Sequence, residues 1–302
     1  MRMTRRGHSL VELLVALTVT AFLASATFRL VDRTQRFAMG TALVTDQRGQ
    51  LAAASFAIAS SLEGISAVDG DLLAVSDSAV AYLGAVGEAV ACALTPAAID
   101  VPPPLLASGA TLTWWNGAPQ SGDQLMLFDE GPLPGALDDG WWHGTVAAVA
   151  PLPNACLGTP YVHPVADAGK RGWRITTTSP PPSTVVAGAA LRVRRPERFA
   201  LYRSAGEWML GWTEHNASSG TWNIIQPVAG PLLPYTAAAG TPSGLRFAWL
   251  DSAGLATSMR QSVRTVRLVI AAPTRRAQHM DGTRGGFHED SATGLLPMRN
   301  AR

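Results

Sequence analysis

The amino-acid sequence predicts an α+β fold, in which one long N-terminal helix packs on an antiparallel, β-rich head. Residues 8–28 form an almost continuous apolar run, and residues 29–64 continue with an amphipathic pattern at helical spacing. Residues 65–273 contain short apolar segments separated by glycine, proline and polar turns, which favours an antiparallel sheet packed on a helix over a parallel α/β fold.

The composition is that of a globular protein with a small excess of positive charge. The 302 residues carry a net charge of +2, and Lys170 is the sole lysine, so the basic charge is almost entirely arginine. Outside the C-terminal tail, no arginine-rich stripe is interleaved with aromatic residues. We therefore expect no nucleic-acid partner.

The N-terminal segment indicates a membrane address. Arg2, Arg5 and Arg6 form a basic start, and the apolar run that follows is long enough to cross a bilayer of roughly 30 Å at ~1.5 Å per helical residue. Glu12 is the only charged residue in this run when His8 is neutral. A carboxylate near the start of a lipid-buried helix costs up to ~3 kcal/mol, so its presence predicts a binding partner.

Two other interpretations fit parts of the same segment. Residues 24–26, Ala-Ser-Ala, match the small-residue site of a cleaved secretory signal, although such a signal needs no Glu12. A simple uncleaved membrane anchor is the third interpretation. Ser9 and Glu12 also spell a capping box, a local helix-start role that is compatible with any of the three.

Residues 7–12, Gly-His-Ser-Leu-Val-Glu, resemble the processing motif of the type IV prepilin family, which includes the pseudopilins of type II secretion systems. The resemblance implies that a prepilin peptidase cuts residues 1–7 away after Gly7 and methylates the new amine of His8. Glu12 would then contact the N-terminal amine of a neighbouring subunit during assembly. His8 departs from the pattern, because Phe or Met is usual at that position.

The amphipathic segment predicts one continuous helix from about Ser9 to about Glu63. Gly40 and Gly49 each weaken a helix by ~1 kcal/mol relative to alanine, so two helices joined at Gly40 are the alternative.

The head is predicted to consist of short strands. A proline-rich connection is expected at 96–104, an irregular stretch at 129–140, and a flexible polar tail at 274–302. The predicted strands cover 71–75, 79–83, 111–115, 124–128, 144–150, 172–178, 189–195, 199–203, 207–213, 222–227, 245–250 and 263–271.

The order of segments 199–203, 224–232, 245–254 and 263–270 is similar to the C-terminal layout of PilW-like minor pilins and J-type minor pseudopilins. This resemblance implies a pilin-like fold and a structural subunit that helps initiate or cap a type IV pilus. The alternative that it implies is a J-type pseudopilin of a type II secretion system. Either subunit would be single-pass in the inner membrane, with its head in the periplasm and other pilin or pseudopilin subunits as partners.

The two cysteines, Cys92 and Cys156, predict one disulfide if the head is exported, and two buried thiols if it is cytoplasmic. The apolar N-terminus favours the disulfide.

The remaining polar residues predict no catalytic, cofactor-binding or metal site. His143 lies near the acids at 138 and 139, and His163 lies near Asp167, but no HxxxH or CxxC spacing supports a metal site. The chain has no phosphate-binding loop and no nucleophile elbow. We therefore predict no enzymatic function.

Nine tryptophans suit a sheet core, and we expect most of them to be buried. In each adjacent pair, at 114–115 and 141–142, one ring should point inward and the other outward. An exposed Trp141 or Trp142 would favour the rival hypothesis of a secreted carbohydrate-binding or adhesive protein. The residues expected to fill the core are Trp114, Trp208, Trp212, Trp222 and Trp249.

Overall fold

A computed structural model describes residues 10–133, 135, 137–238, 240–275 and 287–299. The predicted leader 1–7 lies outside these residues, as does the start of the predicted transmembrane segment 8–28. One helix, α1, runs without interruption over Leu10–Glu63. The prediction of a single long helix is confirmed, and the alternative of two helices joined at Gly40 is wrong.

After α1 the described chain forms fifteen strands and one 3-10 helix at Arg260–Ser262. The strands are β1 Leu72–Val75, β2 Ala79–Val90, β3 Ala93–Thr95, β4 Ala98–Val101, β5 Thr113–Trp115, β6 Gln124–Asp129, β7 Gly140–Pro153, β8 Arg171–Thr177, β9 Ala190–Ser204, β10 Glu207–Asn216, β11 Thr221–Trp222, β12 Gln226–Leu232, β13 Arg246–Leu250, β14 Thr265–Pro273 and β15 Glu289–Pro297.

Twelve strands join one antiparallel sheet in the order β1-β2-β9-β6-β7-β8-β4-β3, with β10, β11 and β12 branching from β9 and β5 pairing with β2. The long strand β9 was predicted as two strands on either side of Pro196. One side of β9 pairs with β2 over most of its length. The other side pairs with β6 as far as Arg194 and with β10 from Glu197 onward. Pro196 therefore lies where the second neighbour changes, and a missing N–H is tolerated there.

The last three strands form a separate antiparallel sheet, β13-β14-β15. The predicted flexible tail 274–302 is therefore wrong for its ordered part: β15 pairs with β14 along its whole length, and Met298 is buried. Only one face of β15 meets the core, and Ala292 and Gly294 on that face are small, so its sequence lacks a strong apolar alternation. Residues 276–286 and 300–302 of that predicted tail lie outside the described residues.

Two smaller predictions also differ from the structure. The proline-rich connection 96–104 contains β4, which pairs with β8 and places Ile99 and Val101 in the core. The predicted strand 222–227 is divided into β11 and β12 by residues 223–225.

The main core lies between α1 and the two sheets. Leu51, Ala54, Ile58 and Leu62 are buried at spacings of three and four residues, so they form one stripe on the helix. This stripe packs against residues of both sheets, including Tyr82, Phe199, Phe247 and Trp249. Each fully buried large apolar side chain contributes ~1.5–3 kcal/mol, so the stripe holds α1 firmly on the head.

A second core cluster lies among strands of the twelve-stranded sheet and includes Leu125, Leu127 and Leu191. A small third core surrounds a disulfide. Cys92 is bonded to Cys156 with a Cα–Cα distance of 5.6 Å, and Leu106, Ala155 and Val162 pack around the bridge. The bridge ties the end of β2 to the loop between β7 and β8.

The tryptophans are less buried than expected. Trp249 is in the core, but Trp114 is 52% exposed and Trp222 is 40% exposed, so the prediction is wrong for these two. Trp114 lies on the outer side of the three-residue strand β5, while its neighbour Trp115 packs against the second core cluster. Trp222 lies on β11, where its ring meets His215 edge-on.

Candidate assembly site

The first part of α1 projects from the head with its side chains uncovered. Glu12 lies in the first turn and is exposed, whereas Gly7 and His8 lie outside the described residues. The most apolar 18-residue window of this helix has no buried residue. By length and composition α1 can cross a membrane. An apolar surface of this size is unfavourable in water and is typical of contact with lipid or with neighbouring helices.

The polar residues of this segment satisfy themselves locally. The hydroxyls of Thr18, Thr20 and Thr27 donate to the carbonyls of Val15, Ala16 and Leu23 at 2.9, 2.7 and 2.9 Å. Because these bonds stay inside the helix, the threonines expose no unsatisfied hydroxyl to lipid.

A family model described as the prokaryotic N-terminal methylation motif matches residues 2–28. The chain carries the N-terminal motif of type IV prepilin-like proteins. No curated protein and no solved structure gives a significant match. The motif implies processing by a prepilin peptidase and assembly with other pilins. Together with the single apolar helix, it fits a single-pass anchor in the inner membrane of a type IV pilin-like or pseudopilin-like precursor.

The first residue of this pilin-like helix that is buried against the head is Gln47, one residue after Asp46, which pairs with Arg275 at 3.5 Å, although the whole segment 29–64 was predicted to be amphipathic. Before that residue the helix carries Phe37 and Met39 at 76% and 66% exposure. Asp32 and Arg36 form a surface ion pair at 2.9 Å, which is worth little on an exposed helix. Residues 29–46 therefore form a largely exposed stalk that meets the head at Asp46.

Three polar side chains, which we call the helix clamp, join α1 to the head: Gln47, Arg48 and Gln50. Gln47 is buried, and its amide nitrogen donates to the carbonyls of Ala272 and His288, the second at 3.2 Å. Arg48 pairs with Asp290 at 3.2 Å, and this bond lowers the pKa of the Asp290 carboxyl. The sequence analysis identified none of the three as a contact with the head.

The third clamp residue reaches the other sheet. Gln50 accepts a hydrogen bond from the backbone N–H of Gly230 at 3.1 Å. The sequence did contain a sign that Gln47 is buried. Gln47 precedes Leu51 by four residues, so it continues the buried stripe of the helix.

A buried ion pair holds the chain just after α1. Asp71 and Arg194 are both buried and are hydrogen-bonded to each other, and the same Asp71 oxygen accepts from the backbone N–H of Ser66 at 2.7 Å. The pair joins the loop after α1 to β9. Removing one charge from such a pair leaves the other buried and unpaired, which is strongly destabilising.

Glu197 bridges three strands of the main sheet. One of its carboxylate oxygens accepts from the Tyr82 hydroxyl at 2.7 Å and from the Trp212 indole N–H at 2.9 Å. Burial raises the pKa of the Glu197 carboxyl above its ordinary value. Burial, followed by the nearby Glu197 charge, also raises the pKa of Tyr82. These bonds tie β2, β9 and β10 together at the level of the end of α1.

Of the acids and histidines considered from the sequence, Asp167 and His163 close a loop, whereas His143 lies exposed on β7. Buried Asp167 accepts from the backbone N–H groups of Ala107 and His163 at 2.6 and 3.0 Å, and it pairs with Lys170 at 2.9 Å. The Lys170 bond is the main cause of the lowered pKa of Asp167. Within the described ranges, no group of three or more His, Cys, Asp or Glu side chains is arranged to hold a metal ion.

The tryptophan pair considered as a sugar platform is half-buried. The Arg192 guanidinium lies over the Trp141 ring, 4.5 Å from its centroid, and the Phe128 ring meets it edge-on. Trp142 packs against the second core cluster. One face of Trp141 is therefore already occupied by a cation.

Proposed function

We propose that this chain is a minor pilin-like subunit that helps initiate or cap the assembly of a type IV pilus. The observation that carries the proposal is that the methylation motif at 2–28 is continuous with a helix that has no buried residue before Gln47. A helix of this kind is stable in a membrane or among parallel helices of other subunits, and an assembling filament offers both in turn.

We infer that the head lies in the periplasm. Arg2, Arg5 and Arg6 precede the apolar run, and basic residues at one end of a spanning helix favour the cytoplasmic side for that end. Cleavage after Gly7 would then occur on the cytoplasmic side. The Cys92–Cys156 bond supports the same orientation, because disulfides persist in oxidising compartments.

Glu12 is the proposed assembly residue. It lies in the first turn of the described helix, and it follows by four residues His8, whose amine cleavage after Gly7 would free. A carboxylate in this position costs up to ~3 kcal/mol in lipid, and a neighbour's amine would offset that cost. The pairing would therefore set the axial register of adjacent helices.

A minor position suits the large head, because a chain of 302 residues is well above the length of a typical major pilin. The second candidate is the J-type minor pseudopilin of a type II secretion system. It is supported by the order of strands β9, β13 and β14, which resembles the C-terminal layout of both kinds of subunit. Deleting the gene separates the two candidates: loss of surface filaments favours the pilus, and loss of protein secretion favours the pseudopilus.

The first experiment is the mass of the mature N-terminus, measured on protein from membranes and from sheared filaments. We expect a terminus at His8 carrying a methyl group. Glu12→Ala should be cleaved but absent from filaments, whereas Asp32→Ala, a matched loss of an acid on the exposed stalk, should still be incorporated. A terminus at Thr27 in the soluble fraction would contradict the proposal.

A further inference from the structure

The last strand, β15, is the longest regular edge in the described part of the chain. It forms one side of the sheet β13-β14-β15 and pairs with β14 over nine consecutive residue pairs without a register shift. The side chains at 289, 291, 293, 295 and 297 are exposed, and those between them face α1 and the core.

The register shows which backbone groups point away from the sheet. The N–H of Met298 bonds to the carbonyl of Arg264, and the N–H of Thr274 bonds to the carbonyl of His288. Hydrogen-bonded and non-bonded pairs alternate in an antiparallel ladder, so the even-numbered residues of β15 bond to β14. The N–H and carbonyl groups of 289, 291, 293 and 295 therefore point outward.

These outward groups have little competition. Among the described residues, the hydrogen bond seen on this edge is a local one, from the N–H of Ser291 to the side chain of Asp290 at 2.9 Å. The N–H groups of Thr293 and Leu295 are therefore available to a strand that arrives from outside.

Four other edges of the described head, those of β1, β3, β12 and β13, are blocked in ways that natural sheets use to prevent pairing. β3 has three residues, β1 has four with a register shift, and β12 contains Pro227 and Pro231. The free side of β13 is occupied, because Phe247 donates to the carbonyl of Asp77. β15 contains no lysine, no bulge and no proline before its last residue.

We propose that β15 is a docking edge that receives an extended segment of a second, different pilin-like subunit, so that the small sheet continues across the subunit boundary. This proposal rests on the assembly role proposed above. Main-chain hydrogen bonds would give affinity, and pockets for alternate side chains would give specificity, as in other cases of strand addition.

A second copy of the same strand, paired antiparallel, is not the occupant. Two copies of β15 that pair antiparallel are related by a two-fold axis perpendicular to the sheet. Rotation about that axis turns every vector in the plane of the sheet by 180°. Because α1 packs flat on this sheet, the two helices would point in opposite directions. Two chains anchored with the same orientation in one membrane do not meet in that way.

The side chains along the edge describe the partner. Phe287 and Leu295 are each 62% exposed and lie near the two ends of the strand, and the acidic side chain of Glu289 is exposed between them. The partner segment should carry an apolar residue near each end and a basic residue opposite Glu289.

The test uses the full chain in cells that assemble filaments. Thr293→Pro removes an outward N–H and leaves the β14–β15 hydrogen bonds intact, whereas Thr293→Val keeps the N–H and the branched shape as the matched control. Leu295→Asp places a charge on the edge without changing the backbone. A photo-reactive p-benzoylphenylalanine at position 291 reports the contact, and mass spectrometry identifies the attached peptide.

We expect an adduct with an extended segment of a chain that has its own methylation motif. The yield of this adduct and the amount of protein in sheared filaments should fall at least about tenfold in Thr293→Pro and Leu295→Asp, and stay unchanged in Thr293→Val. The proposal is overturned if Leu295→Asp, with an unchanged melting temperature, forms the adduct and enters filaments normally. If the wild-type chain never enters filaments, the proposed function itself fails.

Discussion

The two faces of α1 after the stalk have different roles, and a pair of neighbouring substitutions separates them. Ile58 is 0% exposed and lies in the stripe that packs on the head, whereas Phe56, two residues earlier, is 73% exposed. Ile58→Ala should lower the free energy of unfolding of the head substantially. Phe56→Ala removes a larger side chain from the same turn and should leave the stability of the head nearly unchanged.

The expected size follows from burial. Truncating a buried isoleucine to alanine costs ~2–5 kcal/mol, because contacts are lost and a cavity remains. A loss of about 3 kcal/mol raises the unfolding equilibrium constant roughly a hundredfold and lowers the melting temperature by about 6–12 °C in a domain of this size. Substitution of an exposed residue usually changes stability by less than ~0.5 kcal/mol.

Guanidinium unfolding of the full chain in detergent, followed by tryptophan fluorescence, measures both variants. Trp249 and Trp212 lie in or against the core cluster that contains Ile58, so their emission reports the contact. Equal destabilisation by the two substitutions would refute the assignment of the helix faces. A stable Ile58→Ala head would show that α1 does not contribute to the main core.

Three further perturbations test the head. Asp71→Asn should destabilise it by ~3–5 kcal/mol in the same unfolding assay, because Arg194 is left buried without a negative partner; an effect below ~1 kcal/mol would contradict this. The double variant Cys92→Ser with Cys156→Ser should lose about 4 kcal/mol, since the bridge closes a loop with a sequence separation of 64; an unchanged unfolding midpoint would show that the bridge is dispensable. Burial raises the pKa of Glu197, so the native state binds this proton more tightly than the unfolded chain, and the buried charge destabilises the fold once the pH exceeds the raised pKa. Glu197→Gln should therefore melt higher than the wild type near pH 8, and the difference should shrink as the pH falls through that pKa; a difference independent of pH would refute this assignment.

The elements with a strong local signal were predictable from the sequence. The apolar run, the helical period of residues 29–64 and the short turn between β1 and β2 each depend on a period or a turn chemistry that acts within a few residues. The predicted strand at 124–128 became β6 nearly unchanged. The methylation motif was equally local, because its spacing is fixed within six residues.

The features that were missed depend on residues far apart in the chain. Asp71 and Arg194 are 123 positions apart, and Gln47 and Ala272 are 225 positions apart, so no local pattern identifies them as partners. β15 was missed for another reason. It is an edge strand covered on one face, where Ala292 and Leu296 pack on the core but Asp290 and Gly294 add no apolar side chain, so the apolar alternation is weak.

The helix clamp determines how far α1 projects. An apolar stripe alone permits sliding by one turn, since leucine and isoleucine pack in similar ways one turn apart, but the hydrogen bonds of Gln47 and Gln50 are directional and would be broken by such a shift. Residues 10–46 therefore extend a fixed length of roughly 55 Å from the head. A bilayer core takes roughly 30 Å of that length, which leaves a stalk of roughly 25 Å. Since the clamp also bonds to His288 and Asp290, the β15 edge is held at a fixed distance from Glu12, as simultaneous contacts at both places would require.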